Sequence, residues 1–302
     1  EEIVEQVKDF VRDNWNHPSV VLWDASNETQ WDFLSERLVP TVRKLDLSGR
    51  PWENGYMPPG EPGDPYEIHP YRFSSHNRVP PSEAFRMAHL ETPADPSELG
   101  DDLKRKWPGH ASIINEYGHL WLHRDGRPTA LTARAYHNHL GPSATPGERF
   151  AFYAYSLAGL TEYWRAFRKH AGVLYLAYLD GDTPNGFTCD NFRDVRTLEF
   201  QPHFEDYVRE AFKPLGVYIH FWQPALQAGV KRSFRIMMIN DTPRRVTGKL
   251  ALTLEPAAGG KPVARTTGSF ELAGLGGPVG HFQAVAARIE EIDRAEHAVI
   301  GR

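Results

Sequence analysis

The chain has 302 residues, of which 40% are hydrophobic and 24% charged, and its formal net charge is −5. This composition excludes a disordered or collagen-like chain, and the negative balance gives no basic surface for nucleic acid or for an anionic membrane. No apolar run approaches the roughly 20 residues that a membrane-spanning helix needs. The single cysteine, Cys189, excludes an internal disulfide and a cysteine-based zinc site.

The first elements alternate between helix and buried strand. Apolar side chains between Ile3 and Trp15 recur at helical spacing, so the chain opens inside an amphipathic helix, without Met or a signal peptide. We therefore expect an amino-terminal part of the same polypeptide to be missing. The run 20–23 predicts a short buried strand, a second helix carries apolar residues at 34, 38, 42 and 45, and another strand begins near residue 50.

The alternation continues to about residue 213. A long loop rich in Gly and Pro covers residues 53–66, and short strands are predicted at 68–71, 111–115 and 173–178. Helices are predicted at 148–169 and 203–212, and Pro214 ends the second of these. Buried strands separated by helices predict an α/β fold with a parallel sheet or barrel, but five such units are too few for a complete eight-fold barrel.

Beyond Pro214 the pattern changes to short strands separated by turns, at 217–222, 234–239, 250–254 and 270–272. This pattern is typical of an antiparallel sandwich. We therefore predict two domains: an α/β catalytic domain over residues 1–213 and an all-β module over residues 214–302.

Two glutamates, Glu28 and Glu116, each follow a short apolar strand and are each preceded by an asparagine. Active sites of α/β barrels lie at that end of the strands, and two carboxyls facing one cleft can hydrolyse a glycosidic bond. The alternative is that either glutamate merely occupies the first turn of a helix, where the helix dipole favours an acid.

The stretch Asn16-His-Pro-Ser-Val-Val-Leu-Trp-Asp-Ala-Ser-Asn-Glu28 resembles the acid/base signature of glycoside hydrolase family 2, and Ile113-Ile-Asn-Glu-Tyr-Gly118 resembles the nucleophile segment of that family. The resemblance implies that Glu28 is the acid/base and Glu116 the nucleophile of a retaining mechanism, with carboxyls ~5–5.5 Å apart. It also implies that Asn27 donates to the sugar 2-hydroxyl. The first domain would then be the carboxy-terminal part of a (β/α)8 TIM barrel, strands four to eight, and the second an Ig-like β-sandwich.

Many members of the family have a Trp four residues before an Asp. In this sequence the Asp is Asp180, and the position of the Trp is occupied by Leu176. We expect Tyr175 or Tyr178 to compensate for the lost stacking surface. The proposed substrate-binding residues are Asn27, Trp52, His69, Tyr117, Trp121 and Asp180, although the tryptophans could equally be core residues. The dense histidines, among them His137-x-His139 on a possible strand, suggest either a metal or hydrogen-bond partners for sugar hydroxyls; we expect no metal and no cofactor.

These features predict a retaining exo-β-glycosidase, with a galactoside as the first choice of substrate and a mannoside or glucuronide after it. Its partner would be a glycoside or an oligo- or polysaccharide, together with the missing amino-terminal part. The alternative is an inactive carbohydrate-binding relative, which the change at Leu176 favours. We also expect the isolated chain to be unstable, because a partial barrel has exposed strand edges.

Overall fold

The structure is a computed structural model that describes residues 1–91, 107–223, 232–256, 260–262, 264–275 and 284–289. The chain divides into two compact units. Unit 1 consists of Glu1–Arg72, Ser97–Tyr117 and Lys169–Leu176, and unit 2 of Phe73–Pro96, Gly118–Arg168 and Ala177–Arg302. The predicted boundary between residues 213 and 214 stays a prediction.

Unit 1 begins with the predicted amphipathic helix, α1 (Glu2–Asn14). The second predicted helix is an irregular one, with a π-helical turn at Leu34–Leu38, α2 at Val39–Val42 and a 3₁₀ turn at Arg43–Leu45. The apolar stripes of both helices pack against the first two strands in one core. The buried members of this core are Val4, Val11, Trp23, Leu34, Leu38, Val39, Val42 and Trp52.

The strands of unit 1 are short and all parallel. They are β1 (Trp23–Asp24), β2 (Trp52–Glu53), β3 (Tyr66–Ile68), β4 (Ser112–Ile114) and β5 (Gly172–Val173). They form two sheets in chain order, β1-β2 and β3-β4-β5. Parallel strands joined by helical connections agree with the predicted α/β class, and their order fits consecutive strands of a barrel.

Two buried aspartates tie the loops of unit 1 to this framework. Asp46 accepts hydrogen bonds from the Trp23 indole (2.9 Å) and the Arg50 guanidinium (2.7 Å). Asp64 accepts from the backbone N–H of Trp52 (2.9 Å) and from Arg43 (2.5 Å). Since each carboxylate is buried and multiply bonded, both fix the segments that lead to and from β2.

Unit 2 contains the regular helices α3 (Ala133–Leu140) and α4 (Pro146–Phe167). A capping box begins α4: the Thr145 hydroxyl accepts from the backbone N–H of Glu148, whose carboxylate accepts from that of Thr145. Short 3₁₀ helices lie at Arg72–Asn77 and Met87–Glu91, and the helix predicted at 203–212 contains a π-helical stretch at Phe204–Arg209. No helix in the described part of the chain combines the length and apolar character needed to cross a membrane.

The remaining strands are antiparallel. A hairpin joins β6 (Phe192–Asp194) to β7 (Glu199–Phe200), and a three-stranded sheet contains β8 (Leu215–His220), β9 (Arg232–Asn240) and β12 (Ala284–Ile289) in the order β12-β9-β8. A separate two-stranded antiparallel sheet pairs β10 (Val246–Leu254) with β11 (Ala264–Leu272). One apolar cluster draws residues from both sheets, including Ile236 and Leu254. The antiparallel strands beyond Pro214 are as predicted, whereas the Ig-like sandwich stays a prediction.

Several local predictions are wrong. The strands predicted at 20–23 and 68–71 overlap β1 and β3 only at Trp23 and Ile68. The apolar run 173–178 is not a strand throughout, because pairing with β4 ends at Val173 and the chain then leaves the sheet after a last hydrogen bond from Leu174 to Ile114. His137 and His139 lie on α3 rather than on a strand, so strand alternation does not place their rings on one side.

Candidate active site

Glu28 lies four residues beyond β1, in a backbone conformation that is unusual for a residue with a side chain. Its φ of 49° falls in the left-handed region, which costs free energy outside glycine and often marks functional positions. The side chain is 48% exposed. Its Oε1 accepts from the hydroxyl of Tyr56 (2.9 Å) and lies 2.7 Å from Nδ1 of His69. A carboxyl with this access and these partners can exchange a proton with a bound molecule.

Tyr56 reaches Glu28 because of the turn that follows β2. Gly55 has a φ of +70°, and a Cβ at this position would lie 2.7 Å from the carbonyl oxygen of Thr29. Only glycine fits this close approach. The backbone N–H of Tyr56 then donates to the same carbonyl (2.9 Å), so the loop after β2 is fastened to the segment that carries Glu28.

Glu116 lies two residues beyond β4 and is more enclosed, with 14% of its side chain exposed. Its Oε2 accepts a short hydrogen bond from the hydroxyl of Tyr71 and lies 3.5 Å from Nδ1 of His69. One carboxyl oxygen of Glu28, one of Glu116 and a ring nitrogen of His69 all lie within 4.8 Å of one another. The structure therefore brings the two sequence-predicted glutamates together, with His69 between them.

The charges in this group act on one another. Burial lowers the pKa of His69, but hydrogen bonds to Glu67 and Glu28 and the charge of Glu116 outweigh burial and raise it to about 9. Burial raises the pKa of Glu116, while the hydrogen bond from Tyr71 and the charge of His69 oppose that rise. Burial outweighs these effects, so the pKa of Glu116 stays above its ordinary value, and Tyr71 and His69 offset only part of the cost of ionising this carboxyl.

A second group of carboxyls lies beside the first: Asp24, Glu53 and Glu67 each offer an oxygen within 4.8 Å of the others. Glu53 is 2% exposed, and neither of its oxygens has a partner within ordinary hydrogen-bond geometry. Burial, and next the neighbouring Asp24 carboxyl, raise the pKa of Glu53 to about 10. Burial also raises the pKa of Asp24. At neutral pH Glu53 is therefore protonated, and a proton relieves the repulsion between Glu53 and Asp24.

Both groups have the ligand types and spacing that a divalent cation could use. In the first, His69 already contacts Glu28 and Glu116; in the second, Glu67 accepts three hydrogen bonds. A cation at either place would have to displace these contacts.

The other predicted contact residues of unit 1 lie in different settings. Asn27 is exposed, next to Glu28, as a substrate contact requires. Trp52 is buried and stacks on Trp23 with ring centroids 5.7 Å apart, and Tyr117 is buried against Tyr175. Because their rings have no exposed face, Trp52 and Tyr117 are core residues in this structure rather than stacking surfaces for a sugar.

Trp121 and Asp180 belong to unit 2. Trp121 is buried, with its ring edge against His119 (5.1 Å between centroids), which is also a core setting. Asp180 is half-buried; its carbonyl accepts from Arg124 (3.2 Å) and its backbone N–H donates to Asp190 (3.2 Å). In unit 1, Leu176 is half-buried at the position of the family Trp.

Four of the remaining histidines pack inside unit 2. His76 and His139 contact each other through their Nε2 atoms (3.0 Å), and burial lowers the pKa of both, which favours their neutral forms. Burial likewise lowers the pKa of His119 to about 4, and His123 pairs with Asp182 (2.7 Å). Within the described ranges, none of these four joins a group of potential metal ligands.

Sequence reasoning missed the roles of Tyr71 and Glu67. Both flank His69 at the end of β3, the same end of the sheet that carries the glutamates, so strand-end position was the available signal. The proline at position 70 made this strand hard to recognise.

Two carboxyls at the carboxyl ends of parallel strands are the arrangement found in the active sites of barrel-type glycoside hydrolases. Residues 1–54 match the family model described as glycosyl hydrolases family 2, TIM barrel domain. The match includes the first motif, Asn16–Glu28, and supports its resemblance to glycoside hydrolase family 2, whereas the motif at Ile113–Gly118 lies outside the matched residues.

Among solved structures, the chain is similar to the exo-chitosanase CsxA of Amycolatopsis orientalis in complex with PNP-beta-D-glucosamine. The TM-score is 0.54 at 14% sequence identity, and the match covers 99% of this chain. At this identity the likeness concerns the fold. The chain spans 35% of the length of that enzyme. No curated protein matches the sequence.

Proposed function

We propose that the chain carries the catalytic carboxyls of a retaining exo-β-glycosidase, with Glu28 as acid/base and Glu116 as nucleophile. The observation that carries the proposal is the approach of their carboxyl oxygens to within 4.8 Å. Carboxyl groups about 5–5.5 Å apart are typical of retaining enzymes, whereas ~6.5–9.5 Å is typical of inverting ones. The short separation supports the retaining assignment, in which the second carboxyl attacks the sugar directly.

The reaction follows from the two settings. Glu116 attacks the anomeric carbon while protonated Glu28 gives its proton to the departing oxygen, and a glycosyl ester on Glu116 results. Glu28, now ionised, removes a proton from water, which attacks the same carbon and releases the sugar with its configuration retained. The greater exposure of Glu28 suits exchange with the leaving group and water, and the hydrogen bond from Tyr71 stabilises ionised Glu116.

The substrate we propose first is a terminal β-galactoside, followed by a mannoside or glucuronide. The ligand in the complex of the similar exo-chitosanase, PNP-beta-D-glucosamine, adds a β-glucosaminide to the series. The kcat/KM values of the whole chain with the p-nitrophenyl β-galactoside, β-mannoside, β-glucuronide and β-glucosaminide show which of these four sugars it prefers. Equal, background-level rates with all four would contradict an exo-glycosidase of this type.

The second candidate is an inactive carbohydrate-binding relative, which Leu176 favours because a leucine offers no aromatic face to a sugar. Glu116→Gln separates the two functions. An enzyme loses turnover by on the order of 10³-fold or more, since the uncharged amide is a poor nucleophile. A binding protein keeps its affinity for the sugar and shows no turnover before or after the change. The control is Glu36→Gln, which makes the same change at an exposed position.

A further inference from the structure

Glu67 has a fully buried carboxylate (0% exposed) that accepts three hydrogen bonds from three different segments. Oε1 accepts from the backbone N–H of Glu28 (3.1 Å). Oε2 accepts from the side-chain amide of Asn115 (2.5 Å) and from Nε2 of His69 (3.0 Å). One carboxylate thus contacts the acid/base residue itself, the residue before the nucleophile and the imidazole between them.

We propose that Glu67 is a positioning residue of the active site, which holds Glu28, His69 and Asn115 in their working geometry through this single buried carboxylate. The catalytic part of this assignment rests on the proposed function.

The strand register explains how Glu67 reaches all three. Glu67 is in β3 and pairs with Ile113 of the parallel strand β4. Side chains two residues apart lie on the same face of a strand, so Asn115 shares the face of Ile113, and His69 shares that of Glu67. Glu67 therefore lies on the same face as His69 and Asn115, two residues before the carboxyl ends of their segments where these side chains stand.

The hydrogen bond from the backbone N–H of Glu28 to Glu67 stabilises the unusual backbone conformation of Glu28. Glu28 adopts a left-handed backbone conformation (φ 49°), which persists in a residue with a side chain only if the surroundings stabilise it. The hydrogen bond from its N–H to the buried Glu67 carboxylate is such a stabilising contact. Its loss would let the backbone relax and would move the Glu28 carboxyl away from Glu116.

The bond to His69 fixes the proton on Nε2 and directs Nδ1 at Glu28 and Glu116 (2.7 and 3.5 Å). Charged and titratable groups face His69 from each neighbouring segment. They are Glu67 and Tyr71 on its own segment, Asp24 at the end of β1, Glu28 after β1, Tyr56 after β2 and Glu116 after β4. The hydrogen bond with Glu67 is the largest of the effects that raise the pKa of His69 to about 9. Glu67 therefore keeps the imidazole charged between the two catalytic carboxyls.

The test is Glu67→Gln in the whole chain, with the His69 titration followed by NMR of ¹³C-labelled imidazole. In the wild type His69 is expected to titrate near 9, and in the variant at least one pH unit lower, because the amide carries no charge. The matched control is Asp64→Asn, a buried and multiply bonded carboxylate of the same unit that does not contact His69. It is expected to leave the titration unchanged.

A wild-type His69 that titrates near 6.5 would overturn the proposal, and that measurement needs no variant. An unchanged titration in folded Glu67→Gln would do the same. Glu67→Asp keeps the charge and is expected to retain most of the elevation of the pKa. If the chain hydrolyses a glycoside, Glu67→Gln should lower kcat by roughly 100-fold with a much smaller change in KM, since the catalytic groups are misplaced rather than removed. An inactive wild type with the expected titrations would contradict the proposed function and leave the positioning of His69 by Glu67 supported.

Discussion

Replacement of Glu53 by Gln should make the chain progressively more stable than the wild type as the pH rises. Glu53 is 2% exposed, and burial with the neighbouring Asp24 carboxyl raises its pKa from 4.5 to about 10. Between these two values the folded chain holds a proton that the unfolded chain has lost. The stabilisation from this proton is fully present below pH 4.5 and falls as the pH rises towards 10.

The size of the pH dependence follows from the one proton that the folded chain binds at Glu53 and the unfolded chain does not. Each pH unit inside this window lowers the folding equilibrium constant of the wild type about tenfold, which amounts to ~10³-fold between pH 5.5 and 8.5. Glutamine has nearly the shape of the protonated acid and is likewise uncharged, but it does not ionise. The difference in free energy of unfolding between variant and wild type should therefore grow steadily with pH.

Urea denaturation at pH 5.5, 7.0 and 8.5, followed by tryptophan fluorescence, measures that difference. Glu61→Gln is the matched control, because it makes the same change at an exposed position in the loop after β2. A difference for Glu53→Gln that stays constant across the three pH values, or that shrinks, would refute a buried protonated carboxyl at this position.

Two further substitutions test contacts around the same strands. Tyr71→Phe should lower kcat by roughly 10-fold. In the wild type the hydrogen bond from Tyr71 lowers the pKa of Glu116, so its removal should raise that pKa and move the acidic limb of the kcat/KM profile to higher pH. An unmoved limb in an active variant would argue against that contact. Asp46→Ala should lower the free energy of unfolding by about 3 kcal/mol, because it leaves the buried indole of Trp23 without an acceptor and removes the carboxylate that pairs with Arg50. A loss below ~1 kcal/mol in urea denaturation would show that these bonds contribute little.

The sequence predicted those features that short segments determine. Apolar periodicity located α1 and α4, and the alternation of strands with helices predicted the parallel order β1 to β5. The two Asn-Glu motifs selected Glu28 and Glu116, which the structure places within reach of each other. Each of these conclusions depends on residues close together along the chain.

Features that depend on distant contacts could not be predicted in the same way. Trp52 looked like a residue at the mouth of a cleft, yet stacking on Trp23 buries it. The run 173–178 has the composition of a strand, but pairing with β4 ends at Val173. Glu67 looks in the sequence like one of many acids, since its three donors come from segments up to 48 residues away.

The most direct test of the central assignment is to trap the covalent intermediate that a retaining mechanism requires. A 2-deoxy-2-fluoro β-glycoside with a good leaving group, matched to the preferred sugar, slows breakdown of the glycosyl-enzyme so that it accumulates. Mass spectrometry of the digested protein should find the sugar ester on Glu116, and Glu116→Gln should carry none. A turned-over substrate with no adduct, or an adduct on another carboxyl, would contradict the assignment of Glu116 as the nucleophile.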